Sequence, residues 1–294
     1  MVPRMPNRFL LGLAALCLAG TAACASAAET RSAPQPAEDS KADQAQLTQS
    51  AIADCMKQEG FKYVAWTPDP KTGDEQDKAA SGDYEAMRAI ARKRGFGIFT
   101  TIADPSLKEV VWSESDSPNF TIKNELSPAQ LAAYDKALES CRAQAVKKVT
   151  GRVVRSAEDL AEQRNQMIDQ TLDRELNGDP ELIELAAAMG DCLKGKGYRI
   201  DSVRPADIGR QVPNTFEEQL KRIALNDDIP EEGIGEGRYI VPRLAPATAR
   251  QWADKEIKAA LDDVECGKDF YAAYEPRNRE ISDRVTRMFG GVTP

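Results

Sequence analysis

The sequence predicts a mainly α-helical fold with short β segments, built as two tandem helical modules that are each closed by a disulfide; an α+β fold is the alternative. The prediction rests on a repeat around cysteine. Residues 55–61 (CMKQEGF) recur at 192–198 (CLKGKGY), with Cys, Lys, Gly and an aromatic residue at the same offsets. Each copy is followed by a second cysteine late in a predicted helix, Cys141 and Cys266. This repeat predicts that the chain contains an internal duplication.

Each copy begins with a helix that carries its first cysteine. In the second copy Asp179 can cap the helix and Pro180 suits its first position. Apolar residues then recur every three or four positions, which is typical of a helix with one buried face. The predicted faces are Leu182, Leu185, Met189, Cys192 and Leu193 in the second copy, and Leu47, Ala51, Ile52, Cys55 and Met56 in the first.

The middle of each copy predicts the β segments. Residues 61–67 and 198–203 are rich in aromatic and β-branched side chains, which favour extended chain. A small sheet is expected from 95–100, 110–112 and 119–122 in the first copy and 238–241 in the second. Between these segments lies a second helix in each copy, with predicted faces of Tyr84, Met87 and Ile90, and of Phe216, Leu220 and Ile223.

Both copies end on a helix that starts with a capping box. The boxes are Ser127 with Gln130 and Thr248 with Gln251. Together with composition, these signals divide the chain into a signal peptide (1–23), a disordered tether (24–45), the first module (46–150), a helical connector (151–178), the second module (179–275) and a C-terminal tail (276–294).

The amino-terminal residues have the three parts of an export signal. Arg4 and Arg8 precede a short apolar run, and small residues end it. Cys24 follows directly, in a setting that resembles the lipobox of bacterial lipoproteins, where the cysteine is acylated. Thr21 stands where that pattern has Leu, and cleavage after Ala27 is the alternative. We expect an exported protein held at the outer face of the cytoplasmic membrane through Cys24, or a secreted protein if Cys24 is not lipidated.

The composition excludes several classes of chemistry. The chain has no histidine, which excludes Ser-His-Asp and Cys-His catalysis and every histidine-ligated metal site. The net charge of −8 becomes −10 without the two arginines of the signal, so a nucleic-acid partner is not expected. No cofactor motif is present, because the Gly95-x-Gly97 turn lacks the third glycine of a dinucleotide site.

The four cysteines of the folded region predict two disulfides. Exported chains meet oxidising conditions, and an even number of cysteines on helix faces suits a disulfide framework. Of the three possible pairings, the duplication selects Cys55 with Cys141 and Cys192 with Cys266. Each bridge closes a long loop, so the chain-entropy model assigns it roughly 4 to 5 kcal/mol.

The two copies resemble a family of uncharacterised secreted proteins and lipoproteins of actinobacteria. The similarity lies in residues 55–61, the Gly95-Phe96-Gly97 turn, Asn119, Leu126-Ser127, Ala137-Leu138 and the segment from Asp179-Pro180 to Tyr198. It spans most of residues 45–270. The resemblance implies an envelope location and no catalytic or ligand-binding residue.

Few residues suggest a site. Asp227, Asp228 and Glu231 lie in an acidic, glycine-bearing loop whose oxygens suit calcium, although the spacing is not that of an EF-hand and a solvated loop is the simpler interpretation. The loop with Asp69, Asp74, Glu75 and Asp77 is interpreted in the same way. Trp66, Trp112 and Tyr84 could stack on a sugar, but such aromatic residues usually belong to a core.

The sequence favours a non-catalytic envelope lipoprotein that binds or scaffolds an envelope protein or cell-wall partner. A cell-wall-directed hydrolase that uses paired carboxylates is the alternative, because acidic residues are abundant.

Overall fold

The structure, a computed structural model, describes residues 39–68, 73–107, 114–225, 242 and 244–291. Its helices are α1 (Asp39–Gln58), α2 (Asp74–Ala79), α3 (Tyr84–Arg94), α4 (Thr100–Ala103), α5 (Pro118–Asn124), α6 (Pro128–Thr150), α7 (Ala157–Glu175), α8 (Pro180–Gly195), α9 (Pro205–Leu225), α10 (Pro246–Cys266) and α11 (Lys268–Met288). The fold is mainly α, as the sequence predicts. Among the described helices, none is long and apolar enough to cross a membrane.

The predicted β segments are wrong wherever the structure describes them. Residues 61–67 and 198–203 form neither strand nor helix, residues 98–103 turn into α4, and residues 119–122 lie in α5. Ser117 caps α5 and Pro118 occupies its first position, so start signals outweigh the β-branched residues that follow. Segments 110–112 and 238–241 lie outside the described residues.

One smaller core joins α1 to α6. Ile52 and Met56 of α1 are buried against Tyr134 and Leu138 of α6. The disulfide Cys55–Cys141 connects the same two helices. The capping box of Ser127 and Gln130 that starts α6 is present as predicted.

The main core is continuous across both copies of the repeat. It collects buried side chains from the α4 region and from α6 to α11. Phe99, just before α4, stacks on Trp252 of α10 with ring centroids 5.1 Å apart. Helices α3 and α4 of the first copy therefore pack on α10 of the second.

The second disulfide, Cys192–Cys266, joins α8 to α10, so the predicted pairing of all four cysteines is confirmed. The predicted burial of the first helix faces is wrong at two positions. Cys192 is exposed because it lies beside the buried stripe of α8 and not within it, and the side chain of Leu47 is 58% exposed. The Thr248 capping box is also wrong, because α10 begins earlier, at Pro246, after Ala245.

The two ends of the described region meet. The Thr48 hydroxyl of α1 donates a 2.9 Å hydrogen bond to the carbonyl of Gly290, just after α11. Gly290 has a φ of +87°, and a Cβ there would lie 2.8 Å from the Thr48 hydroxyl oxygen. Only glycine suits both the positive φ and this close approach.

Candidate functional site

A cavity of about 430 Å³ lies between α2, α3, α9, α10 and α11. This volume falls within the range of small-molecule sites. Much of its wall is apolar, from Met87, Ile90, Phe96, Pro213 and Val264. Its charged and hydroxyl-bearing lining residues are Arg94, Asp263, Tyr271 and Glu275.

Asp263 is the most unusual residue of the cavity. It is 4% exposed and lies on the apolar face of α10, one turn after Ala259 and Ala260. Its Oδ2 accepts a 2.6 Å hydrogen bond from the Tyr271 hydroxyl, whereas its Oδ1 is buried and has no hydrogen-bond partner. Burial raises the pKa of this carboxyl to about 7. A buried acceptor without a protein partner is costly unless water or a ligand supplies a donor.

Tyr271 holds Asp263 from the next helix. Two glycines let its ring fit: a Cβ at Gly267 would lie 2.5 Å from the ring, and one at Gly209 would lie 3.3 Å from it. Burial, and then the neighbouring Asp263, raise the pKa of Tyr271 well above its usual value. The hydroxyl therefore stays protonated and remains the donor to Asp263.

A second carboxyl lies one turn further along α11. Glu275 is half-buried, and its Oε2 accepts a 3.2 Å hydrogen bond from the side-chain amide of Asn278. Burial raises the pKa of Glu275. Its charge also contributes to the raised pKa of Tyr271, so both acids lie near this tyrosine. Arg94, in the last turn of α3, brings a positive charge to the same cavity.

This arrangement can bind a small molecule that is apolar at one end and donates hydrogen bonds at the other. The apolar wall would cover the first part, and the free Oδ1 of Asp263 would receive the second. Metal binding has no support in the described part of the chain, where no three Cys, Asp or Glu side chains come close enough to hold an ion.

None of the other sequence candidates that the structure describes lies in this cavity. Asp74, Glu75 and Asp77 lie in α2 and are exposed. Tyr84 packs against the cluster of Ala91, Ala260 and Val264, with the Lys268 ammonium 5.0 Å from its ring centroid. Trp66 lies in the irregular segment after α1. The candidates outside the described residues are Cys24, Asp69, Trp112, Asp227, Asp228 and Glu231.

Sequence reasoning missed Asp263, Tyr271 and Glu275. The sequence does carry a signal for Asp263. This acid follows Ala259 by four residues and Ala260 by three, so it interrupts an otherwise small and apolar helix face. Glu275 and Tyr271 carry no such signal, since charged and aromatic residues are common along α11.

Comparison with known proteins adds no relative. No protein family, curated protein or solved structure matches this chain. The geometry of the cavity therefore carries the functional argument alone.

Proposed function

We propose that this protein is a non-catalytic binding protein of the cell envelope, and that the cavity beside Asp263 is its ligand site. The observation that carries the proposal is Asp263, a residue that lines the cavity and whose buried Oδ1 is a hydrogen-bond acceptor with no partner in the protein. A ligand that supplies a donor there removes the cost of an unsatisfied buried acceptor.

Two disulfides support a location outside the reducing cytoplasm. The amino-terminal signal supports export, and Cys24 is the proposed acylation site that anchors the protein to the outer face of the membrane. The resemblance to actinobacterial secreted lipoproteins is consistent with that anchor. In this proposal the folded region works close to the membrane, where it meets ligands or partners of the envelope and cell wall.

Binding is favoured over hydrolysis by paired carboxylates. A glycoside hydrolase needs one carboxyl that is protonated and a second that stays ionised. Here burial raises the pKa of both Asp263 and Glu275, and this shared direction does not by itself assign the acid and the ionised carboxylate to the two residues. The largely apolar wall also offers few hydrogen bonds to a sugar.

A titration with a neutral probe tests the ligand site. We expect n-hexanol, added to the isotopically labelled mature protein, to shift the NMR resonances of residues that line the cavity, such as Met87 and Ile90. Ala79 is half-exposed and also lines the cavity, so Ala79→Leu would narrow it and weaken these shifts. Ala80→Leu, at an exposed neighbour outside the lining, is the control. Shifts that are absent, or scattered over the surface, would contradict the assignment.

The anchor has its own test. Cells grown with an alkyne-bearing fatty acid should label the wild-type protein and retain it in the membrane fraction, because the acyl chain partitions into the bilayer. Cys24→Ser should lose the label and most of the membrane retention. A labelled Cys24→Ser protein, or an unlabelled wild type, would count against the anchor without affecting the ligand site.

A further inference from the structure

We propose that the ligand of this cavity is an organic cation, a primary ammonium group carried on a short apolar chain. The inference rests on the proposed function and names the ligand class of the same site. It follows from three features that the cavity combines: an unpartnered acceptor, an excess of acidic groups and an apolar wall.

The first feature is the acceptor. The Oδ1 atom of Asp263 has no donor within reach, while Oδ2 is already occupied by the Tyr271 hydroxyl. An ammonium group carries three N–H donors and no acceptor, so it fits a site where acceptors are left over. A hydrogen bond between two charged groups is also shorter and stronger than a neutral one.

The second feature is charge. The lining residues bring two acids, Asp263 from α10 and Glu275 from α11, and one base, Arg94 from α3. The residues that α2 and α9 contribute are uncharged: Gln76, Ala79, Gly209 and Pro213. With both acids ionised these groups sum to one negative charge, and the Asp263 carboxylate is buried, where an unbalanced charge is costly. A ligand with one positive charge balances it, whereas a carboxylate ligand would add to it.

The third feature is the wall. Met87 and Ile90 of α3 and Val264 of α10 present aliphatic side chains to the cavity, and Phe96 adds an aromatic ring. An alkyl or aryl group bound there is removed from water, and this burial contributes roughly 25 cal/mol of binding free energy for each Å² of apolar surface. A bare ammonium ion would not use this surface, so the ligand is expected to carry an apolar body.

Three probes with six carbon atoms each separate the contribution of the ligand's charge from that of its apolar chain. Calorimetric titration of the mature protein at pH 8 compares n-hexylamine, n-hexanol and n-hexanoate, because at that pH the amine is a cation and Asp263 is mostly ionised. We expect the amine to bind about tenfold tighter than the alcohol or better, and the carboxylate to bind weakest.

Matched variants locate the cation. Asp263→Asn keeps the shape but removes the charge, so it should weaken hexylamine binding about tenfold or more and leave hexanol binding nearly unchanged. Glu275→Gln should weaken the amine by a smaller factor. Asp254→Asn is the control, because Asp254 lies on the same helix α10, is exposed and is not part of the lining.

Each outcome decides a separate point. Hexanol binding with no preference for the amine would overturn the ligand class and leave the proposed ligand site standing. Failure of both probes to bind would overturn the site as well. Amine affinity unchanged in folded Asp263→Asn would place the cation elsewhere and overturn the inference. If Asp263→Asn fails to fold, the other two variants decide it. A preference for amine over alcohol that Glu275→Gln does not reduce would overturn the inference, and so would amine binding that Ala79→Leu leaves unchanged.

Discussion

The carboxylate of Glu256 in α10 accepts a 2.6 Å hydrogen bond from the backbone N–H of Phe99, 157 residues earlier in the chain. The same carboxylate accepts from the N–H groups of Ile98 at 2.9 Å and Thr100 at 3.0 Å. Glu256 is fully buried, so it replaces water for three amides at the turn into α4. Gly95 permits the approach, since a Cβ there would lie 3.0 Å from the Glu256 Cγ.

Loss of this carboxylate should destabilise the joined halves of the repeat. Glu256→Ala leaves three buried amides without an acceptor and is expected to lower the free energy of unfolding by about 3 kcal/mol or more. Urea denaturation followed by circular dichroism measures the change. Glu139→Ala, at an exposed glutamate of α6, is the control and should change stability little. An equal effect from both variants would contradict the role of Glu256.

Asp263 should make the ligand-free protein less stable as pH rises towards neutrality. Its pKa is about 7 in the folded protein and 3.8 is its usual value, so the folded state holds the proton more tightly than the unfolded state does. Stability is therefore expected to fall between pH 4 and pH 7 and then to level off, by up to about 4 kcal/mol. Burial also raises the pKa of Glu275, so this carboxyl likewise lowers the stability as the pH rises.

Urea denaturation at intervals from pH 4 to pH 8 checks this dependence. Asp263→Asn does not titrate and should flatten most of the curve, whereas Asp254→Asn should keep it. A wild-type stability that rises across the same range would show that the buried carboxyl is not the dominant titrating group.

The two disulfides should differ in their rate of reduction. Cys192 is exposed and Cys266 half-buried, whereas Cys141 is fully buried and Cys55 half-buried. A thiolate must reach a sulfur atom to reduce the bond, so mild dithiothreitol is expected to open Cys192–Cys266 first. Timed alkylation and peptide mass spectrometry would follow each pair. In urea, which unfolds the protein, the difference between the two reduction rates should largely disappear. If Cys55–Cys141 opens first in the native protein, the prediction is wrong.

Asn119 replaces the missing strand partner of the segment after α1. Its side-chain amide donates to the Val64 carbonyl at 2.9 Å and its Oδ1 accepts from the Val64 N–H at 2.8 Å. Asn119→Ala removes both bonds and should lower stability by about 1 to 2 kcal/mol, measured by urea denaturation. Asn124→Ala, at an exposed residue of the same helix, is the control. Equal stability of the two variants would show that the Val64 contact contributes little.

Local signals made most of the helices predictable. Asp179 caps α8 and Pro180 opens it, as the sequence predicts, and Ser156 caps α7. The repeat also predicted both disulfides, because duplication reduces three pairings to one. These features depend on residues near in sequence or on an internal copy, and both are visible without a structure.

The β predictions failed, and the cavity was missed, for a different reason. Whether residues 95–100 form a strand or a turn depends on Glu256, which reaches them from α10, and Val64 pairs with a side chain instead of a strand. The cavity likewise combines Arg94 of α3 with Asp263 and Glu275, which lie more than 160 residues later. Such partners are set by tertiary packing, which local propensity does not report.

The Cys55–Cys141 bond also determines how the domain would respond to mechanical load. Tension applied to the amino-terminal end of α1 reaches Cys55 and can then cross the disulfide to Cys141, so the covalent path bypasses the intervening loop, with its sequence separation of 86. Stretching from that end can extend the first turns of α1 and then pulls directly on α6. The covalent path of such a force does not pass through α2 to α5.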